Sequence, residues 1–160
     1  MTKNAVPPTV VSRLAHLPRI VGIKDSSRDF EYHLAVIEAT RNRAEFNVLT
    51  GNDTMLTASL LMGGRGTIAA SANLVPDLSV RICRAVAEND IPTAREVQRV
   101  LSRVIEACRR GTFPAGWKAA LAWAGLCEAR MMPPTPELNG IDAGLLAQDL
   151  NRLEIPRVNH

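Results

Sequence analysis

The sequence predicts an α/β protein, a parallel sheet covered by helices, with an all-helical stretch after it. Three short apolar runs that end in polar turn residues alternate with stretches of helical periodicity over residues 1–90. After Pro92 the alternation stops, and helical segments are predicted at about 93–110, 114–128 and 142–153. The chain of 160 residues, 46% of them hydrophobic, is long enough to bury one sizeable core. The predicted organisation is an α/β part at 1–90 and a helical extension at 91–160.

Each element has a local reason. Pro7 and Pro8 before Thr9–Ala15 suit a helix with proline in its first turn. Arg19-Ile20-Val21-Gly22-Ile23-Lys24 reads as a buried parallel strand that runs into the turn Asp25-Ser26-Ser27. Leu34 and Ile37 set a helical face from Phe30 to about Arg41, with Ser27 or Asp29 as its cap. Phe46–Thr50 is the second strand, ending at Gly51-Asn52-Asp53, and Thr54–Met62 is an apolar helix. Gly63-Gly64-Arg65-Gly66 turns the chain into a third strand of small residues, Thr67–Ser71. Asn73-Leu74-Val75-Pro76 leads into a helix reaching about Glu88. Gly111, Pro133-Pro134 and Asn139-Gly140 punctuate the helices that follow.

Composition excludes several classes. The net charge is +3 and the pI about 9.1, but the arginines are spread along helices. No basic stripe with interleaved aromatics suggests nucleic acid. Arg95, Arg99 and Arg103 recur at four-residue spacing and read as a solvated helix face. Cys83, Cys108 and Cys127 have no metal-ligand spacing and read as free thiols in a reducing cytoplasm. His16, His33 and His160 show no ligand spacing either, so neither metal nor cofactor is expected. Nothing near Met1 resembles a signal peptide, and no run approaches the ~20 apolar residues of a membrane span.

Lys24 carries the chemical interest. An unpaired ammonium is costly to bury at a strand end, so the side chain either snorkels to solvent or is put to use. Partly dry surroundings favour the neutral amine of a lysine, which attacks a carbonyl to form a Schiff base. Residue type and position alone leave both readings open. Gly51-Asn52-Asp53 is open in the same way, as a turn with a helix cap or as part of a site. Gly63-Gly64-Arg65-Gly66 is a strand-entry turn or, on weaker grounds, a phosphate cradle. In parallel α/β architecture the carboxyl ends of the strands share one face, which brings Lys24, Gly51–Thr54 and Ala70–Asn73 to the same side.

Taken in order, Gly22-Ile23-Lys24-Asp25-Ser26-Ser27, Gly51-Asn52-Asp53, Gly63–Ile68 and Ala72-Asn73 resemble the dihydrodipicolinate synthase and N-acetylneuraminate lyase family. Phe113–Leu121 and Pro133-Pro134 resemble its closing helices, and the likeness runs from about Asn4 to Leu153. The resemblance implies the last three strands of a (β/α)₈ TIM barrel plus a helical C-terminal extension. It implies a class I carbon–carbon lyase or synthase that condenses or cleaves 2-oxo acids, typically pyruvate. Lys24 matches the imine-forming lysine. Gly51 and Asp53, with the adjoining Thr54, match the loop near the second substrate. Ile68 matches the residue beside the pyruvyl group, and Ala70 is expected on the same strand face two positions on.

A whole barrel takes about 250 residues and eight strands. The resemblance implies that a threonine-bearing glycine-rich loop, which holds the 2-oxo acid carboxylate, and a proton-relay tyrosine belong to strands absent here. Tyr32, in the helix after Lys24, is not placed for that relay. Lys3–Pro8 resembles the segment just past the relay tyrosine, so Met1 reads as a start inside a longer frame. The expectation is a chain inactive or very slow alone. It would be poorly soluble, homo-oligomeric or dependent on a complementing N-terminal half, because an open parallel sheet leaves two unpaired edges. The alternative is a catalytically silent interaction remnant.

Overall fold

The computed structural model describes residues 5–158. Lys3, Asn4 and His160 lie outside the described residues. Three parallel strands form one sheet in the order β1-β2-β3: β1 Gly22–Asp25, β2 Asn47–Thr50 and β3 Gly66–Thr67. The helices α1 (Pro8–Leu14), α2 (Phe30–Thr40) and α3 (Leu56–Leu61) connect and flank them. Then come α4 (Pro76–Ala87), α5 (Ile91–Cys108), α6 (Ala115–Trp123) and α7 (Gly140–Arg152). This is a three-stranded parallel sheet flanked by helices and followed by a helical extension, the α/β order that the sequence predicts.

Local chemistry sets the boundaries. The Asp29 carboxylate accepts the backbone N–H of Tyr32 at 3.0 Å and caps α2. Asp90 caps α5 through the N–H of Thr93 at 3.1 Å, and the Thr93 side chain first, then that N–H, hold its carboxyl below the usual carboxylate range. Asn139 caps α7 through Asp142 N–H at 2.9 Å. Gly63 and Gly66 have φ of 102° and 151°, so the turn before β3 uses conformations that favour glycine.

Two segments differ from the sequence expectation. The third strand does not reach Ser71. It ends at Thr67, and Ala70–Asn73 winds into a 3-10 turn. Small residues without β-branching gave Ala69–Ser71 little strand preference, and the Ser71 N–H is taken by the Asp53 carboxylate instead of a sheet partner. Ala70 is therefore presented from a turn and not from a strand face. The helix predicted to 128 ends at Trp123, where Gly125 adopts φ 80°.

The main core joins Leu56, Leu74, Val75 and Ile82 to Val97, Leu101, Val104 and Ile105, and reaches Trp117, Leu146 and Leu150. A smaller one, of Val11, Ala15, Val36, Phe46 and Val48, seats α1 and α2 on the sheet. Arg95, Arg99 and Arg103 lie exposed on α5. Among the described residues no helix is long and apolar enough to cross a membrane.

Candidate functional site

The register of the sheet builds the site. Lys24 pairs with Leu49, Asp25 with Thr50, and Thr50 with Thr67, so the three carboxyl ends lie side by side. The loops that leave them surround a cavity of about 720 Å³. Lys24, Gly51, Asp53, Ile68 and Ala70 all line it. Thr54 does not. Its hydroxyl donates to the Asn52 side-chain oxygen at 3.0 Å, and the residue faces a separate groove beside α5.

Lys24 reaches the cavity across Gly51. A Cβ on Gly51 would stand 2.6 Å from Lys24 Cε and would collide with Ser26 Oγ, so the absence of a side chain there keeps the lysine's path open. Of the two readings that the sequence leaves open for Lys24, a side chain reaching solvent describes its surroundings. The residue is exposed, because β1 is an edge strand of the sheet.

Asp53 is buried, which a simple surface turn would not require. Its carboxylate accepts the Ser71 N–H at 3.3 Å, and its carbonyl accepts Gln98 Nε2 at 3.0 Å. It thereby ties the end of β2 to the turn after β3 and to α5. The Thr50 hydroxyl supports the same corner by accepting the Asn52 N–H at 3.0 Å. Cys108 forms part of the far wall. Burial, and less so the negative charge of Asp53, push its thiol up to about 12 against the opposing pull of Arg110. The thiol stays protonated at neutral pH and is no rival nucleophile to the amine. Trp117, buried in the main core, closes the wall beside it.

A buried polar chain underlies the Lys24 strand end. His33 Nδ1 lies 3.1 Å from Asp25 Oδ2, and His33 Nε2 lies 2.8 Å from Ser59 Oγ. His33 and Ser59 are wholly buried and Asp25 is 6% exposed. The other Asp25 oxygen accepts the Ser27 N–H at 2.8 Å. Aspartate, histidine and serine in line resemble a hydrolytic relay, but Ser59 Oγ is sealed from solvent and cannot meet a substrate. The chain instead fastens β1, α2 and α3 together directly behind Lys24. Sequence reading missed it, since the three residues are spread over 34 positions and share no ligand spacing. A histidine at a position of α2 that should face the sheet was the available signal. Tyr32 does not line the cavity, and its hydroxyl donates to Val6 O at 2.8 Å. Burial and, secondarily, Asp25 raise its pKa.

Among the described residues no group of three or more His, Cys, Asp or Glu could hold a metal ion. Cys83, Cys108 and Cys127 are free thiols.

Parallel strands whose carboxyl ends enclose a lysine-bearing cavity, backed by helices, define the fold class of the α/β-barrel lyases and aldolases. The profile of the Dihydrodipicolinate synthetase family matches residues 1–148, and the chain belongs to that family. It is similar to the 4-hydroxy-tetrahydrodipicolinate synthase of Hyphomonas neptunium, with 36% identity over 152 residues, covering 90% of this chain and 51% of that protein. The enzyme of the same name from Thermus thermophilus is 37% identical over 140 residues, covering 83% of this chain and 46% of the relative. Among solved structures, YagE of E. coli K12, a prophage protein of the dihydrodipicolinic acid synthase family in complex with pyruvate, superposes with a TM-score of 0.85. It is 28% identical, over 92% of this chain and 51% of that one. The dihydrodipicolinate synthase of Thermotoga maritima gives a TM-score of 0.87 at 28% identity, over 94% and 52%. The chain thus spans about half the length of the relatives it matches.

Proposed function

We propose that this chain carries the imine-forming half of a Schiff-base lyase or aldolase, with Lys24 as the nucleophile and a 2-oxo acid such as pyruvate as its partner. The observation that carries the reading is Lys24 at a parallel strand end, reaching over Gly51 into a cavity walled by Asp53, Ile68 and Ala70. Family membership supports it, as does the pyruvate bound by the structural relative YagE.

The unprotonated amine attacks the ketone carbon, and water leaves as the imine forms. The protonated imine accepts the electron pair released when a proton or a carbon substituent departs from the adjacent carbon. An enamine results, and the reverse sequence makes the carbon–carbon bond. Gly51 gives the amine room, Asp53 holds the cavity corner in place, and the apolar Ile68 and Ala70 flank the pyruvyl methyl. The cytoplasm, where free thiols persist, is the compartment this reading assigns.

Borohydride reduction in the presence of pyruvate tests the proposal. The expected product is one stable adduct on the intact chain, mapped to Lys24 and lost in Lys24→Met. A folded chain that yields no adduct overturns it.

A second reading has its own support. Among the described residues the outer flanks of β1 and β3 have no strand partner, and Val21, Ile68 and Phe113 are exposed apolar residues. Such edges suit a chain completed by a second copy or by a complementing half, with or without chemistry of its own.

A further inference from the structure

We propose that His33 is a positioning residue for Lys24: its bond to Asp25 fixes the end of β1 so that the lysine lies across Gly51, and its bond to Ser59 aims the ring at Asp25. The proposal takes from the Schiff-base reading only the use to which the amine is put. Where the amine stands is read without it.

Successive side chains of a strand point to opposite faces. Lys24 is turned to the cavity, and Asp25, the next residue, to the helices behind the sheet. Asp25 is held at its backbone and at both carboxylate oxygens. Its carbonyl accepts the Gly51 N–H. One carboxylate oxygen accepts the Ser27 N–H, and the other meets His33 Nδ1 at 3.1 Å. Gly51 is the residue that Lys24 Cε passes at close approach. A tilt of Asp25 is therefore felt twice: by Lys24 through the peptide bond and by Gly51 through the hydrogen bond. The Ser27 contact belongs to the same loop, whereas His33 supplies an anchor on a separate element, α2.

The anchor is itself aimed. An ionised carboxylate only accepts, so Nδ1 donates to Asp25. The Ser59 hydroxyl meets Nε2 at 2.8 Å and fixes the ring from its other side. Room for that hydroxyl comes from Gly64, where a Cβ would collide with Ser59 Oγ. Phe30 stacks on the imidazole with ring centroids 6.2 Å apart. Stability does not explain these choices. His33 stands on the buried stripe of α2 with Val36 and Thr40, where an apolar side chain is the ordinary occupant. Exchanging a whole buried polar set for apolar groups of the same shape is often neutral or stabilising. Apolar packing does not supply a fixed direction, and the Asp25–His33–Ser59 chain does.

The test separates the two sides of the imidazole on the full 160-residue chain. Asparagine carries its amide nitrogen near the place of Nδ1 and keeps the Asp25 bond. Glutamine reaches the place of Nε2 and keeps the Ser59 bond. Each variant gives up one hydrogen bond, so both are expected to lower the denaturant midpoint by similar amounts. Placement is read by NMR as the nuclear Overhauser contact between Lys24 Hε and Gly51 Hα. It is expected in the unmodified chain, kept in His33→Asn and Ser59→Ala, and lost in His33→Gln. Asp25→Ser, whose hydroxyl still takes the Ser27 N–H but stops short of His33, shows the same loss should His33→Gln not fold. The rate of borohydride-trapped imine formation with pyruvate should follow the contact. It should fall by no more than about twofold in His33→Asn and by about tenfold in His33→Gln. A histidine that serves stability alone would move both readouts with the midpoint, alike in the two variants. That result overturns the proposal, as does a contact absent from the unmodified chain or kept in every variant. A contact that follows the Asp25 bond in a chain that traps no pyruvate rejects the imine and keeps the positioning. Trapping with a contact indifferent to that bond does the reverse.

Discussion

On the helical side of the molecule Ile82, Leu101 and Leu150 are wholly buried, and side chains from α3 to α7 meet in one continuous apolar cluster. On the sheet side the apolar cluster has five buried members, and much of the remaining buried contact is polar: Asp25, His33 and Ser59 behind β1, Thr50 and Asp53 at the end of β2. The side that bears Lys24 is thus secured mainly by hydrogen bonds in fixed places, and the other side by packed volume. The difference suits each task. Apolar packing tolerates exchange of similar shapes, whereas a hydrogen-bonded strand end holds one side chain in one place.

The largest effect should come from breaking the apolar side. Leu101→Ala removes a wholly buried side chain from the centre of the main core. Its expected cost is about 2–5 kcal/mol of global stability, read as a lower midpoint in denaturant with an unchanged slope. If the midpoint barely moves, the helical core is not the dominant one.

The polar side is tested by His33→Leu, which keeps the volume and removes both hydrogen bonds. Asp25 then keeps only its Ser27 contact on one oxygen, and Ser59 Oγ loses its partner. A cost of about 2–4 kcal/mol is expected from stranding these buried groups. Hydrogen exchange should show the loss in β1, β2 and α2 while α4–α7 stay protected. Uniform loss across both sides would mean that the two regions unfold as one unit.

The contrast also explains what could be read from the sequence. Parallel strands, their order and the helices over them were legible because hydrophobic runs and glycine punctuation are local signals. Lys24, Gly51, Asp53 and Ala70 were legible as cavity neighbours because parallel topology gathers strand ends on one face, and Ile68 through the family resemblance alone. The Asp25–His33–Ser59 chain was not, since it depends on three elements crossing at a point and no spacing rule encodes that. The third strand was drawn too long because Ile68–Ser71 has apolar character, while a tertiary hydrogen bond from Asp53 decided its conformation. Thr54 was grouped with Asp53 by adjacency, although the 3-10 turn over Asp53–Met55 rotates neighbouring side chains to different faces.

A smaller perturbation separates positioning from stability at a single atom. Gly51→Ala adds a methyl group where Lys24 Cε and Ser26 Oγ now lie. Both obstacles are ends of flexible side chains, so they move aside and the fold loses only about 1 kcal/mol or less. Lys24, however, must abandon its path into the cavity. The rate of borohydride-trapped imine formation with pyruvate should therefore fall by about tenfold, equivalent to about 1.4 kcal/mol in the barrier. Both quantities come from the same samples, a thermal midpoint and a trapping time course. A trapping rate that holds while the midpoint drops would show Gly51 to be a packing residue. A midpoint that holds while the rate drops is the signature of a glycine kept for the lysine above it.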